Sequence, residues 1–275
     1  MNPAALAIIY HDPEGRLFPQ LVQILPRLAE NFAGIAVRAS SAAFQPSLQF
    51  LAESGVCVYQ EPGGDANAPA HVGKGRRKAV ELALTLGQPC VLYCDGDRML
   101  HWAEHYPEEL TAVTRHLPAY DFTVYGRTPR AFATHPRCQQ DTETLINHLF
   151  CRLSGHEWDM LAAARGLSRR AAEYLVAHSH DDEISNDVSW PLLLRQQQPT
   201  WTQGYVSTEG MEFETLAQVR PEIEQAGSAA AWLSTLDANP QEWAKRLDLA
   251  RVMAEAMTPF AHEPGAHCAF TTQLE

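Results

Sequence analysis

Apolar positions along this chain fall into short unbroken runs that alternate with helical stripes. Residues 5–10, Ala-Leu-Ala-Ile-Ile-Tyr, read as a buried strand, because the run is short and has no polar face. From Leu17 to Ala29, Leu21, Leu25 and Leu28 recur at helical spacing. A strand over 34–37 follows. A short helix then begins at Pro46, a residue suited to the first helical position, and leads to a strand over 55–59. A helix over 79–84 runs into the apolar strand Val91-Leu92-Tyr93-Cys94, bounded by Pro89 and Gly96. The pattern continues with a helix over 107–117, a strand over 121–126 and a last strand over 201–207. Between these, Leu145, Ile146, Leu149, Phe150 and Leu153 make the core face of a helix over 142–153. Strands and helices in alternation predict an α/β domain with a mostly parallel sheet. Beyond residue 215 the chain turns helical. Asn239-Pro240-Gln241-Glu242 is a helix start, with Trp243, Leu247, Ala250, Ala254 and Met257 as its expected buried stripe, for packing or dimerisation.

Composition adds exclusions. With 275 residues, 45% of them hydrophobic, the chain can build one large α/β domain or two small ones. A formal net charge of −12 argues against general nucleic-acid binding. No apolar run reaches membrane-span length, and the N-terminus lacks a secretory pattern. The six cysteines show no Cys-x-x-Cys spacing, so reduced, mostly buried thiols in a cytoplasmic protein are expected. The stretch Glu61–Pro69 reads as a flexible loop, and the tail from His262 as loosely ordered.

Candidate chemistry gathers at two places. Asp95-Gly96-Asp97 ends the apolar strand of residues 91–94, where open α/β sheets bind ligands. Two carboxylates at that point suit Mg²⁺ or Mn²⁺, which take oxygen ligands and share them with substrate phosphates. The other place is Gly73-Lys74-Gly75-Arg76-Arg77-Lys78, four cations in five residues at a helix start. Glycines let backbone amides approach an anion, while cations there oppose the helix dipole, so an anion is expected to offset them. His101-Trp102-Ala103-Glu104-His105 fits a His-x-x-Glu-His zinc pattern, although Pro107 follows closely. Arg127 and Arg130, after the strand over 121–126, are weaker anion candidates.

The Gly-Lys-Gly turn followed by the Asp-x-Asp strand resembles the GT-A glycosyltransferases, most closely the mannosylglycerate synthase and glucosyl-3-phosphoglycerate synthase branch. The resemblance implies a GT-A-like catalytic domain over 1–218 and a helical C-terminal extension over 219–275 packed on it. It implies a hexose transferred from a nucleoside diphosphate sugar to a small hydroxyl acceptor, with retention; the basic residues of the acceptor segment add the expectation that this acceptor is acidic. It also implies a divalent metal; charge and hydropathy add the expectation of no nucleic-acid partner and no membrane span, and a homodimer is a further expectation. Gly73, Lys74, Gly75, Arg77, Asp95 and Gly96 would bind the nucleotide sugar, and Asp95 and Asp97 the metal. Arg165, Gly166, Leu167 and Ser168, read as a small-residue bend before a helix, would form an acceptor loop. Asp187, at a helix start after a polar stretch, would be the catalytic acidic residue near the acceptor, which it would position or activate. In the resembled enzymes a histidine after the last strand completes the metal shell. None occurs here between His180 and His262, so Glu209 or Glu212 is expected in its place, with water as the alternative.

Four rival readings remain. One is a GT-A-like protein that binds a sugar nucleotide without turnover, or has lost the activity. A nucleotidyltransferase would carry its basic glycine-rich loop after the first strand, where His11-Asp12-Pro13-Glu14-Gly15 stands instead. An Asp-x-Asp phosphatase would place its nucleophile after the first strand. A zinc hydrolase would use His101, Glu104 and His105.

Overall fold

The computed structural model describes residues 4–63, 71–197 and 200–261, so most of the loop expected at Glu61–Pro69 and the tail from His262 lie outside the described residues. In chain order the elements are β1 (Ala4–Tyr10), α1 (Phe18–Asn31), β2 (Gly34–Ala39), α2 (Gln45–Glu53), β3 (Cys57–Gln60) and α3 (Val72–Leu84). There follow β4 (Cys90–Asp95), α4 (Gly96–His105), α5 (Pro107–His116), β5 (Phe122–Arg127), α6 (Pro129–Ala133) and α7 (Arg137–Ser154). The remainder is β6 (Ala164–Ser168), α8 (Arg169–His178), α9 (Asn186–Arg195), β7 (Gln203–Thr208), α10 (Arg220–Ala226), α11 (Ala229–Asp237) and α12 (Pro240–Met257).

The strands form one seven-stranded sheet in the order β3-β2-β1-β4-β6-β5-β7. Every neighbouring pair is parallel except those of β6, which runs antiparallel to both β4 and β5. Helices cover both faces, which is why the central strands are apolar throughout. Leu6, Ile8, Leu92 and Cys94 pack with α1, α2, α4 and α5. Their neighbours Ala5, Ala7, Val91 and Tyr93 pack with α3, α7, α8, α9 and α12 on the opposite face. This is the expected architecture, a mostly parallel sheet flanked by helices with further helices at the C-terminus. No helix among the described residues is long and apolar enough to cross a membrane.

Four expectations change. Residues 164–168 are a strand in mid-sheet, not a loop or helix start; the bend precedes them at Ala163, whose φ is +54°. In α7, Ile146 and Phe150 are buried but Leu145 is 59% exposed, because the helix turns Thr142 and Glu143 inward, the latter to Arg127. In α12 the buried residues are Met253 and Met257, and Leu247 is 53% exposed. The packed stripe there is offset from the expected one, and it brings Arg246 inward with Leu249, Ala250 and Met253. Cys57, Cys90, Cys94 and Cys138 are free thiols, whereas Cys151 is disulfide-bonded, against the expectation of reduced thiols throughout.

Candidate functional site

β4 lies against β1 and delivers Asp95 to the carboxyl end of the sheet. Gly96 is required there, because a Cβ would stand 2.7 Å from the Ile9 carbonyl oxygen at the end of β1. Asp95 is the residue before α4, yet its side chain caps nothing. Its carboxylate accepts instead from the Arg76 guanidinium at 2.9 Å and from the Tyr93 hydroxyl. Burial pushes the Tyr93 hydroxyl well above the ordinary tyrosine range, so it donates as a neutral phenol. Asp97, in the first turn of α4, accepts from the Arg98 backbone N–H at 2.9 Å and from the Gln218 side-chain amide at 3.1 Å. The segment after β7 therefore folds back over the Asp-x-Asp turn.

Arg76 joins Asp95 to Asp187. It donates to Asp187 Oδ2 at 2.8 Å and to Asn186 Oδ1 at 2.9 Å, both at the start of α9. Arg165 of β6 takes the other Asp187 oxygen at 2.9 Å. Arg76, Arg165 and Asp187 are all buried. Burial opposes the Arg76 charge, but Asp187 and Asp95 outweigh it and raise its pKa well above the ordinary guanidinium value. Both Asp187 oxygens are thus held by guanidinium groups. That engagement of both oxygens suits a positioning role better than that of a base. Arg165, Gly166 and Leu167 are buried within the sheet, and Ser168 accepts from Ala171 N–H as the cap of α8. These four residues offer no loop to an acceptor.

The Gly-Lys-Gly stretch lies inside the first turn of α3, packed against residues 181–183. A Cβ on Gly73 would overlap the Glu183 carbonyl oxygen. The Lys74 N–H donates to the Asp182 carbonyl at 3.0 Å. Arg77 pairs with the Asp182 carboxylate and donates to the Asp181 carbonyl at 2.6 Å, and Lys78 pairs with Glu81 at 2.9 Å. The anion expected at this helix start is supplied largely by the chain itself. Lys74 is exposed, with no ion pair among the described residues.

Of the two glutamates expected near the metal, neither stands with Asp97. Arg130 pairs with Glu209, and with Glu212 at 2.7 Å, and His101 Nε2 lies 3.1 Å from Glu212. His101 and His105 do share helix α4, but His105 Nε2 faces Glu104 at 3.7 Å. Among the described residues, no group of three or more His, Cys, Asp or Glu is arranged to hold a metal.

The residue that the sequence pattern missed is Glu214, two positions beyond Glu212. It is 6% exposed and pairs with Arg98 Nε at 3.6 Å, while its Oε2 has no partner. Burial, assisted by Asp97, raises its pKa to about 7. Nothing in its immediate sequence separates it from Glu209 and Glu212. Its selection depends on the turn after β7, which Glu109 fixes by accepting from the Glu209 and Gly210 N–H groups at 2.7 and 2.9 Å.

No family model matches this sequence, and no curated protein does. Among solved structures, the chain is similar to glucosyl-3-phosphoglycerate synthase from Mycobacterium tuberculosis. In its complex with Mn²⁺, uridine diphosphate and phosphoglyceric acid, identity is 13% over 74% of this chain and 68% of that one, with a TM-score of 0.46. In the uridine diphosphate complex identity is 13% over 84% and 79%, with a TM-score of 0.47. In the phosphoglyceric acid complex it is 12% over 74% and 69%, with a TM-score of 0.48.

Beside Asp95 and Asp187 opens a cleft of about 100 Å³. Arg76, Arg98 and Gln139 line its polar side, and α7 and α12 close it with Ile146, Leu249 and Met253. The oxygen donors at its edge suit a hard divalent cation in type. The unpartnered, buried Glu214 Oε2, within electrostatic reach of Asp97, is a carboxylate oxygen that a cation would satisfy.

Proposed function

We propose that the chain is a metal-dependent glycosyltransferase of GT-A type, moving a hexose from a nucleoside diphosphate sugar to a hydroxyl of a small acceptor. The catalytic part would be residues 1–218, with 219–275 as an extension that closes the cleft. The observation that carries this reading is the group at the end of β4. Asp95 and Asp97 stand there with a buried, half-partnered Glu214 and the guanidinium groups of Arg76 and Arg98, beside a cleft.

Asp97 and Glu214 would hold Mg²⁺ or Mn²⁺, with Asp95 shared between metal and donor. When bound, the ion would neutralise charge building on the diphosphate. Lys74 is the cation of the basic run left over for the diphosphate, and Arg77 would join it only by exchanging Asp182. Gly73, Gly75 and Gly96 shape the backbone around these groups. Arg76 and Asp187 fix the Asp95 carboxylate in place. In the transfer, the acceptor hydroxyl oxygen bonds to the anomeric carbon as that carbon's bond to the diphosphate oxygen breaks. The departing oxygen keeps the bonding pair and takes the hydroxyl proton. Both groups then lie on one face of the sugar, which gives retention.

A second reading, donor binding without turnover, is favoured by the engagement of both Asp95 oxygens and the lack of a three-residue metal set among the described residues. Isothermal titration of UDP, GDP, UDP-glucose and GDP-mannose, with and without Mn²⁺, tests both. The expected result is metal-dependent binding of one nucleotide that Asp97→Ala and Glu214→Gln abolish. Absence of binding by a folded protein would sink the transferase reading. Binding with no sugar released or transferred would leave the second.

A further inference from the structure

We infer that the molecule occupying the cleft beside Asp95 is an amphiphile, a hydroxy acid with one anionic group and a hydrocarbon body, and that Arg246 of α12 selects its anion. The inference rests on the transferase reading, since it assigns that reaction's acceptor.

Charge matching within the cleft singles out Arg246. Three carboxylates line it, and each has a guanidinium partner: Asp95 has Arg76, Asp187 has Arg76 and Arg165, and Glu143 has Arg127. Of the lining arginines, Arg76 is committed to Asp95 and Asp187, and Arg98 faces Glu214. Arg246 also lines the cleft, is half-buried, and has no ion pair among the described residues. A half-buried guanidinium is costly to leave unpaired and well shaped for a carboxylate, which it binds with two parallel hydrogen bonds.

Deeper in, two polar atoms lack partners. Arg98 Nη1 and Gln139 Oε1 are both buried and unbonded, on side chains that line the same cleft. One is a donor and the other an acceptor. A ligand that brings both an acceptor and a donor suits this pair better than one that only accepts. A phosphate, which at neutral pH brings acceptors and little donor capacity, satisfies only the first. The remaining wall is hydrocarbon: Ile146, Leu161, Leu249, Ala250 and Met253. A small polyol phosphate would leave that wall facing water, whereas a methylene chain gains about fourfold in affinity per buried CH₂. The offset of the α12 stripe, with Leu247 outside and Arg246 inside, is what provides both the cation and the apolar wall.

The test is isothermal titration of four probes against the full chain: 2-hydroxyoctanoate, lactate, octane-1,2-diol and glycerol 3-phosphate. Wild type should bind 2-hydroxyoctanoate at least tenfold more tightly than each of the others. Arg246→Ala, a helix-compatible change at a position without an ion pair, should lose at least tenfold for the hydroxyoctanoate while leaving the diol unchanged; Arg246→Lys should recover part of the loss. A preference for glycerol 3-phosphate would overturn the amphiphile. Equal hydroxyoctanoate binding by wild type and Arg246→Ala would overturn the role of Arg246. Failure of all four probes, on a sample that still binds a nucleotide with Mn²⁺, would overturn this inference and leave the donor site standing. Failure of probes and nucleotides together would remove the reading on which it rests.

Discussion

At Asp187 the carboxylate holds two buried arginines, and loss of one partner strands the others. Asp187→Ala leaves Arg76 short of one anion and Arg165 short of the one carboxylate it pairs with among the described residues, all three side chains being buried. Breaking such a pair costs about 3–5 kcal/mol, which urea unfolding followed by circular dichroism would register as a large drop in midpoint. Asp97→Ala is the contrasting case. That carboxylate is only partly buried and accepts from one backbone N–H and one side-chain amide, so its loss should cost about 1 kcal/mol. Similar losses in the two variants would refute this division of labour. His135 sets an acid limit. Burial, with Arg127 and Arg98 nearby, pushes its pKa down to about 2, so the folded protein keeps it neutral where the unfolded chain protonates it. A folded pKa below the unfolded one gives stability that is present above about pH 6.5 and drains as pH falls from there toward 2. Between pH 7 and pH 5, wild type should lose about 2 kcal/mol more than His135→Phe; parallel pH profiles would contradict this. His135 gave no sign of such a role in the sequence, because its environment is built from residues distant along the chain.

At the scale of elements, legibility followed the range of the interactions. The apolar run of β4 and its two aspartates were readable because burial on both faces and the strand end are local properties. β6 was not readable. Ala-Arg-Gly-Leu-Ser has small residues and a cation, and it becomes a strand because β4 and β5 pair with it on either side and Asp187 neutralises Arg165. The α7 and α12 stripes were read from hydrophobicity alone, whereas ion pairing in α7 and the cleft in α12 decide which residues turn inward. The Gly-Lys-Gly turn was legible as a close approach, but what approaches is the backbone of residues 181–183. Gly73→Ala should therefore force α3 away from that segment, at about 1–3 kcal/mol as for other overpacked sites, and weaken the Arg77–Asp182 pair. An alanine variant as stable as wild type would show that this contact yields cheaply.

For the whole molecule, cohesion is uneven, and its distribution bears on how the cleft opens. The central strands β1, β4 and β6 are packed on both faces, and the Arg76 and Arg165 ion pairs tie β4 and β6 to α3 and α9. By contrast, α10 and α11 have no buried residue. They are held at few points, among them the Phe213–Trp232 ring contact at 6.3 Å and the hydrogen bond from Cys138 N–H to Asp237 at 3.1 Å. Helix α12, which follows them, is anchored again by Met253 and Met257 against the core. Free energies of local opening scale with such burial, so the segment over 220–238 should open far more easily than either the sheet or α12. Hydrogen exchange should show its amides exchanging orders of magnitude faster than those of β4, with α12 intermediate. Among the described residues, limited proteolysis should cut first near Gly227–Ser228, where the chain leaves α10 through a left-handed glycine at φ +86°. Because α12 keeps its own anchors, the two fragments should stay together through gel filtration. A C-terminal fragment that separates after that cut would mean α12 is held mainly through the chain before it, and the cleft would then lose its roof whenever α10 and α11 open.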